Sequence, residues 1–127
     1  MIFVEEAIKI QNLLIDSFGG SKGIRDRGSL ESALIRPYQT FGQTELYPNP
    51  EDKAAAILES IIMNHPFVDG NKRIGYVLMR IILLENDMDV EASLEGKFEF
   101  IVKIAKGEMN FAQIQQWIQS KLVKNVL

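Results

Sequence analysis

The stretch from Asn49 to Glu85 constrains the fold most. Asn49-Pro50-Glu51-Asp52 supplies a capping side chain, a proline at the first helical position and two acids that the helix dipole favours, so a helix is expected from there to about Asn64. It carries Ala54, Ala55, Ile57, Leu58, Ile61 and Ile62 at helical spacing. A second helix, from about Asn71 to Glu85, is apolar nearly all round except at Arg80, the pattern of a helix buried on most of its faces. Only His65-Pro66-Phe67-Val68-Asp69-Gly70 separates the two. A short polar connector is therefore expected at the centre of the core.

The rest of the chain packs around this pair. Residues 4 to 17 place Ala7, Ile8, Ile10, Leu13, Leu14 and Ile15 at helical spacing, and the run stops at Gly19-Gly20. The glycine-rich stretch 19–28, with Lys22, Arg25 and Arg27, is expected to be a loop or small hairpin. Ser29 is taken as the N-cap of a short helix over Leu30 to Ile35, closed by Pro37, because the residue before a proline leaves the helical region. Residues 38 to 48 are expected to be irregular. Two further helices are expected, one from Leu94 to Lys106 ending at Gly107, the other from an Asn110 cap through Ile114, Trp117, Ile118 and Leu122. No segment has a persuasive strand pattern. The expected fold is all-α, a single domain over 1–127 with the flap or hairpin lying before the second helix.

Composition narrows the function classes. With 127 residues, 46% of them hydrophobic, the chain can bury one apolar core without a metal or a disulfide, and it has no cysteine, as suits a reducing cytoplasm. The net charge of −3, with no cluster of Lys or Arg, lacks the broad positive field of a nucleic-acid binder. Arg80 interrupts the longest apolar run, and Met1-Ile2-Phe3-Val4-Glu5-Glu6 does not read as a signal peptide, so neither a membrane span nor export is expected.

The chemistry is concentrated in the connector. A helix that starts afresh at Asn71 leaves the N–H groups of Asn71, Lys72 and Arg73 without intrahelical partners, which makes an anion site. Gly70 keeps a Cβ away from that site, and Lys72 and Arg73 add charge-assisted donors. Phosphate is the natural occupant. Asp69 is a hard oxygen ligand able to hold Mg²⁺ against it. Pro66 is expected to force His65 into an extended conformation, holding at the loop mouth an imidazole, the side chain that most often serves as a general base. Each residue also has a bland explanation. Asp69 or Asn71 can be a helix cap, His65 a partner for a helix C-terminus, and Lys72 and Arg73 solvated surface. Their joint spacing on one turn, with no other histidine in the chain, favours a site.

His65-Pro66-Phe67-Val68-Asp69-Gly70-Asn71-Lys72-Arg73 resembles the signature of the Fic/Doc superfamily, most closely of its Doc, or death-on-curing, branch. Gly23-Ile24-Arg25-Asp26, then Ser29 to Leu34 and Arg36-Pro37, is similar to the family's flap and following helix. Ala105-Lys106-Gly107-Glu108 before the last helix also fits. The resemblance implies a compact Fic-fold helical bundle and a transferase that moves part of ATP onto a protein hydroxyl. In it His65 would be the general base, Asp69 the Mg²⁺ ligand, and Gly70, Asn71, Lys72 and Arg73 the phosphate holders. The flap residues Gly23, Ile24, Arg25 and Asp26 would lay the target segment across the site by main-chain pairing.

The same resemblance leaves two reactions open. Adenylylating members generally have glycine where this chain has Lys72, and in the Doc branch the lysine goes with a reversed nucleotide that presents its γ-phosphate. That implies a protein kinase acting on elongation factor Tu. Gly70, in contrast, is the adenylylating type, so AMP transfer stands as the alternative, with a non-catalytic nucleotide-site module as a third reading. The family's self-inhibitory Ser/Thr-to-Glu pattern is missing, since Ser93-Leu94-Glu95-Gly96 has the letters at the wrong spacing. Control by a Phd-like antitoxin is what the resemblance then implies.

Overall fold

The computed structural model describes residues 1–125, so the last two positions of the domain expected over 1–127 lie outside the described residues. Six helices dominate them: α1 (Val4–Phe18), α2 (Arg27–Ile35), α3 (Pro50–Asn64), α4 (Asn71–Leu84), α5 (Leu94–Ala105) and α6 (Phe111–Lys121). The all-α class is correct. At the centre α3 and α4 form an antiparallel pair in which Ile57, Leu58, Ile61, Ile62, Ile74, Leu78, Met79 and Ile82 are almost wholly buried. Gly75 permits the close crossing, because a Cβ there would lie 3.2 Å from Ile62 Cγ1 on α3. Among the described residues no helix is long and apolar enough to cross a membrane.

Four short strands were not expected. Thr40–Phe41 (β1) and Thr44–Glu45 (β2) form a hairpin inside the stretch read as irregular, turning on Gly42 and Gln43, both with positive φ. That is the two-residue turn that matches strand twist, but Gly-Gln lacks the Asn-Gly signal that announces it. Met88–Val90 (β3) pairs antiparallel with Leu122–Lys124 (β4), Met88 opposite Lys124. The last helix accordingly ends at Lys121, and Leu122 begins a strand. Three-residue strands paired across two intervening helices carry no period that a local reading could detect.

Polar fasteners hold the outer elements to the central pair. Arg36, on the 3-10 turn after α2, reaches Glu59 Oε1 at 2.9 Å, Ser60 Oγ at 2.9 Å and Tyr47 Oη at 3.0 Å. Its guanidinium carbon also lies 5.1 Å from the centroid of Phe111 on α6. One side chain thus joins α2, the segment after β2, α3 and α6. On the other side Arg80 of α4 makes a two-pronged pair with Asp89 of β3, at 2.9 and 2.6 Å. This explains the charge that interrupts the apolar run Ile74 to Leu84 of α4. The guanidinium holds the Asp89 carboxyl below the usual carboxylate range.

Candidate active site

The chain reverses between α3 and α4 through a loop that uses the left-handed region twice. His65 closes α3 with φ 47° and ψ 57°, and Gly70 precedes α4 with φ 75°. The extended conformation expected for His65 is therefore wrong. Proline at 66 disfavours the right-handed helical region, but the left-handed region remains open to the preceding residue, and it is a common way to end a helix. At Gly70 a Cβ would meet Ile15 Cδ1 at an ordinary 3.6 Å, so the backbone angle and not crowding selects glycine.

Neither cap reading of Asp69 or Asn71 holds, because Gly70 occupies the N-cap position of α4. Asn71 instead clamps the loop: its Oδ1 accepts from Phe67 N–H at 3.0 Å and its Nδ2 donates to the Phe67 carbonyl at 2.9 Å. The Phe67 side chain is buried beneath, while the neighbouring Val68 is exposed. With its amide committed, Asn71 has its backbone N–H to offer a ligand. The N–H groups of Asn71, Lys72 and Arg73 have no acceptor among the described residues, and the first helical bond is Ile74 N–H to the Gly70 carbonyl at 2.9 Å. The anion site expected at this turn is geometrically open.

The flap is fastened to this loop as a single extended segment and forms no hairpin of its own. Ile24 pairs antiparallel with Phe67, through Arg25 N–H to the Pro66 carbonyl at 2.7 Å and Val68 N–H to the Gly23 carbonyl at 3.0 Å. In this pattern the N–H and C=O of Ile24 point to the opposite side, where they bond to nothing among the described residues. Arg25 donates from Nε to the His65 carbonyl and from a terminal nitrogen to the Asn64 carbonyl, both at 2.6 Å, satisfying the C-terminal carbonyls of α3. Asp26 caps α2 by accepting from Ser29 N–H at 3.1 Å and from Ser29 Oγ at 2.9 Å. The cap expected at Ser29 is thus at Asp26, because its carboxylate satisfies the orphan N–H and the hydroxyl together. Those bonds lower its pKa.

Sequence reasoning missed the residue that ties these parts together. Gln11 of α1, only 1% exposed, donates from Nε2 to the carbonyls of Ser21 and Asp69, both at 3.2 Å, and accepts from Gly23 N–H at 3.4 Å. A signal was present: Gln11 falls between Ala7 and Ile15 on the buried stripe of α1, where a polar side chain requires partners. Asp69 is held from the same side. Its Oδ2 accepts from Ser21 N–H at 3.1 Å and its Oδ1 from Gly70 N–H at 3.1 Å. Gly20 lets the flap approach so closely, since a Cβ there would lie 2.7 Å from Asp69 Oδ2.

The loop forms one end of a cleft of about 750 Å³, large enough for a nucleotide. His65, Asp69, Gly70, Asn71, Lys72 and Arg73 all line it, so the structure brings the six expected residues together. Phe18 of α1 and Phe98 and Ile101 of α5 add apolar lining. The His65 ring is exposed and makes no hydrogen bond to the described residues, and the Arg73 guanidinium lies 4.1 Å from the centroid of Phe18. Tyr76 also lines the cleft; its hydroxyl is buried without a partner among the described residues, and burial raises its pKa.

These residues suit a nucleotide-borne Mg²⁺ better than a protein-held one. Among the described residues no group of three or more His, Cys, Asp or Glu converges. Asp69 presents a carboxylate whose oxygens each accept one backbone N–H and keep a lone pair, the single-carboxylate contribution typical where phosphates supply the other ligands.

The Fic/DOC family profile matches residues 2–83, which take in α1, the flap, the loop and nearly all of α4. The chain belongs to the Fic/DOC family. Among curated proteins, Toxin Doc of Mycolicibacterium smegmatis (strain ATCC 700084 / mc(2)155) is 39% identical over 79 residues, spanning 62% of this chain and 61% of the relative. Less than two thirds of that relative's length is therefore covered. Beyond the residues matched to the Fic/DOC family, α5 also lines the cleft.

Proposed function

We propose that this Fic/DOC protein is the toxin of a toxin–antitoxin system and acts as a protein kinase, moving the γ-phosphoryl group of ATP to a hydroxyl of a target such as elongation factor Tu. What carries the reading is one loop that presents an exposed histidine, an aspartate and an open helix N-terminus at the polar end of a nucleotide-sized cleft. Likeness to a curated Toxin Doc supports the toxin part.

In this mechanism the His65 imidazole takes the proton of the target hydroxyl as its oxygen attacks the γ-phosphorus. The bond from that phosphorus to the bridging oxygen breaks, and ADP leaves. The N–H groups of Asn71, Lys72 and Arg73 and the two cationic side chains hold the phosphates and stabilise the charge that develops. That is most of what phosphoryl transfer asks of a protein. Asp69 would hold Mg²⁺, which when bound neutralises phosphate charge. Lys72 occupies the first turn of α4, and its side chain excludes the nucleotide pose that presents the α-phosphate. The outward N–H and C=O of Ile24, within the flap segment 23–26, accept the target backbone as an added strand. A Phd-like antitoxin covers the cleft and controls the protein in the cytoplasm.

Expression alone in a bacterium tests the toxin part. Wild type should arrest growth and His65→Ala should not. Normal growth under wild type, with label transferred by the purified protein, would retain the enzyme and reject the toxin.

A further inference from the structure

Arg73 makes no ion pair or hydrogen bond with any described residue, yet its guanidinium carbon lies 4.1 Å from the centroid of the Phe18 ring. At that distance a cation engages the face of a ring and leaves its N–H donors unused. Phe18 is itself 62% exposed, so its position is not explained by burial. It ends α1, immediately before the Gly19-Gly20 turn, and α1 is fixed to the loop by Gln11 through the Asp69 carbonyl. Both Phe18 and Arg73 line the cleft.

We propose that Phe18 is a positioning residue, an aromatic platform that holds the Arg73 guanidinium by its face so that its N–H fork stays free for phosphate oxygens. A guanidinium offers five donors in a planar fork suited to two-pronged phosphate binding, and a long exposed side chain otherwise loses rotamer freedom when it binds. Holding the plane in advance removes part of that loss. A carboxylate partner would hold Arg73 equally well, but it would occupy the donors and repel phosphate. An aromatic face does neither. The inference deepens the phosphate-binding part of the function proposed above and rests on it.

The test uses inorganic pyrophosphate and Mg-ATP as probes with wild type, Phe18→Ala, Phe18→Trp and Phe18→Tyr, each in Arg73 and Arg73→Ala backgrounds. Phe18→Ala should weaken affinity for both probes about threefold to tenfold. Trp and Tyr should restore it, and the Arg73→Ala background should abolish the difference. Urea midpoints should stay together, since Phe18 is exposed. The Arg73 Nε–Hε resonance should be displaced by the ring current in wild type and move on Phe18→Ala, whatever reaction the protein performs. Failure of ATP transfer with these pyrophosphate and resonance results would reject the kinase and keep the platform. Equal or tighter pyrophosphate binding by Phe18→Ala would overturn the proposal, as would a loss that Trp and Tyr do not repair or that persists without Arg73.

Discussion

Replacing Gln11 by leucine should loosen the site without emptying the core. Leucine keeps nearly the same volume on the buried stripe of α1 but removes the bonds to the Ser21 and Asp69 carbonyls and from Gly23 N–H. An ordinary intramolecular hydrogen bond contributes about 0.5–1.5 kcal/mol net, and a buried group left unpaired costs about 1–3 kcal/mol. The 3.4 Å contact from Gly23 is long, and water reaches the exposed flap once it lifts, so the loss should be about 2–3 kcal/mol. For a domain of this size, with a slope of about 1–3 kcal/mol per molar urea, the midpoint should fall by about 0.7–3 M. The loss should also be local. Amide exchange at Arg25, Asp26 and Val68, whose hydrogens join flap to loop, should accelerate well beyond that at Ile74 in α4. A urea midpoint within about 0.2 M of wild type, with Val68 exchange unchanged, would refute the assignment of Gln11 as the tie between α1, flap and loop.

Lys72→Gly should reduce γ-phosphoryl transfer and admit AMP transfer; AMP transfer by wild type that persists unchanged in the variant would overturn the kinase assignment. Asp69→Ala should remove the Mg²⁺ dependence of ATP binding in calorimetry, and unchanged metal-dependent affinity would leave the carboxylate only its bonds to Ser21 and Gly70. Asp89→Asn should flatten the acid limb of the stability profile. Because the folded pKa of Asp89 is lowered, its pairing with Arg80 contributes fully above the unfolded carboxylate pKa, near 3.9, and is lost as pH falls through the folded value. Parallel acid limbs for wild type and variant would reject that pair as a source of acid sensitivity.

What was legible in the sequence had local causes. Asn49-Pro50 announced α3, Asn110 capped α6 with Gln113 answering it, and the nearly uniform apolar run of α4 required burial. The loop was legible because its residues lie together in sequence, and the fold had only to reverse the chain around them. Long-range pairing hid the rest. Nothing near Met88 points to Leu122, and nothing near Ile24 points to Phe67, so β3, β4 and the flap bridge had no local signature. The resemblance implies main-chain docking along Gly23, Ile24, Arg25 and Asp26, but no local signal separates that use from the one their side chains serve, since those of Arg25 and Asp26 fasten the ends of α3 and α2. That distinction depends on where two helix termini fall in space. His65 shows a local rule applied too narrowly: a following proline excludes one helical region, and the chain took the mirror one.

The most direct test of the central claim is a paired incubation of the purified protein with bacterial extract, Mg²⁺ and ATP labelled on either the α or the γ phosphate, with His65→Ala alongside. Protein-bound label is expected from γ-labelled ATP alone, and none with His65→Ala, whose ATP affinity should stay within about threefold of wild type because the base acts on the target hydroxyl. Label from α-labelled ATP would assign AMP transfer to this loop. Equal transfer by His65→Ala would remove the histidine, and with it the mechanism.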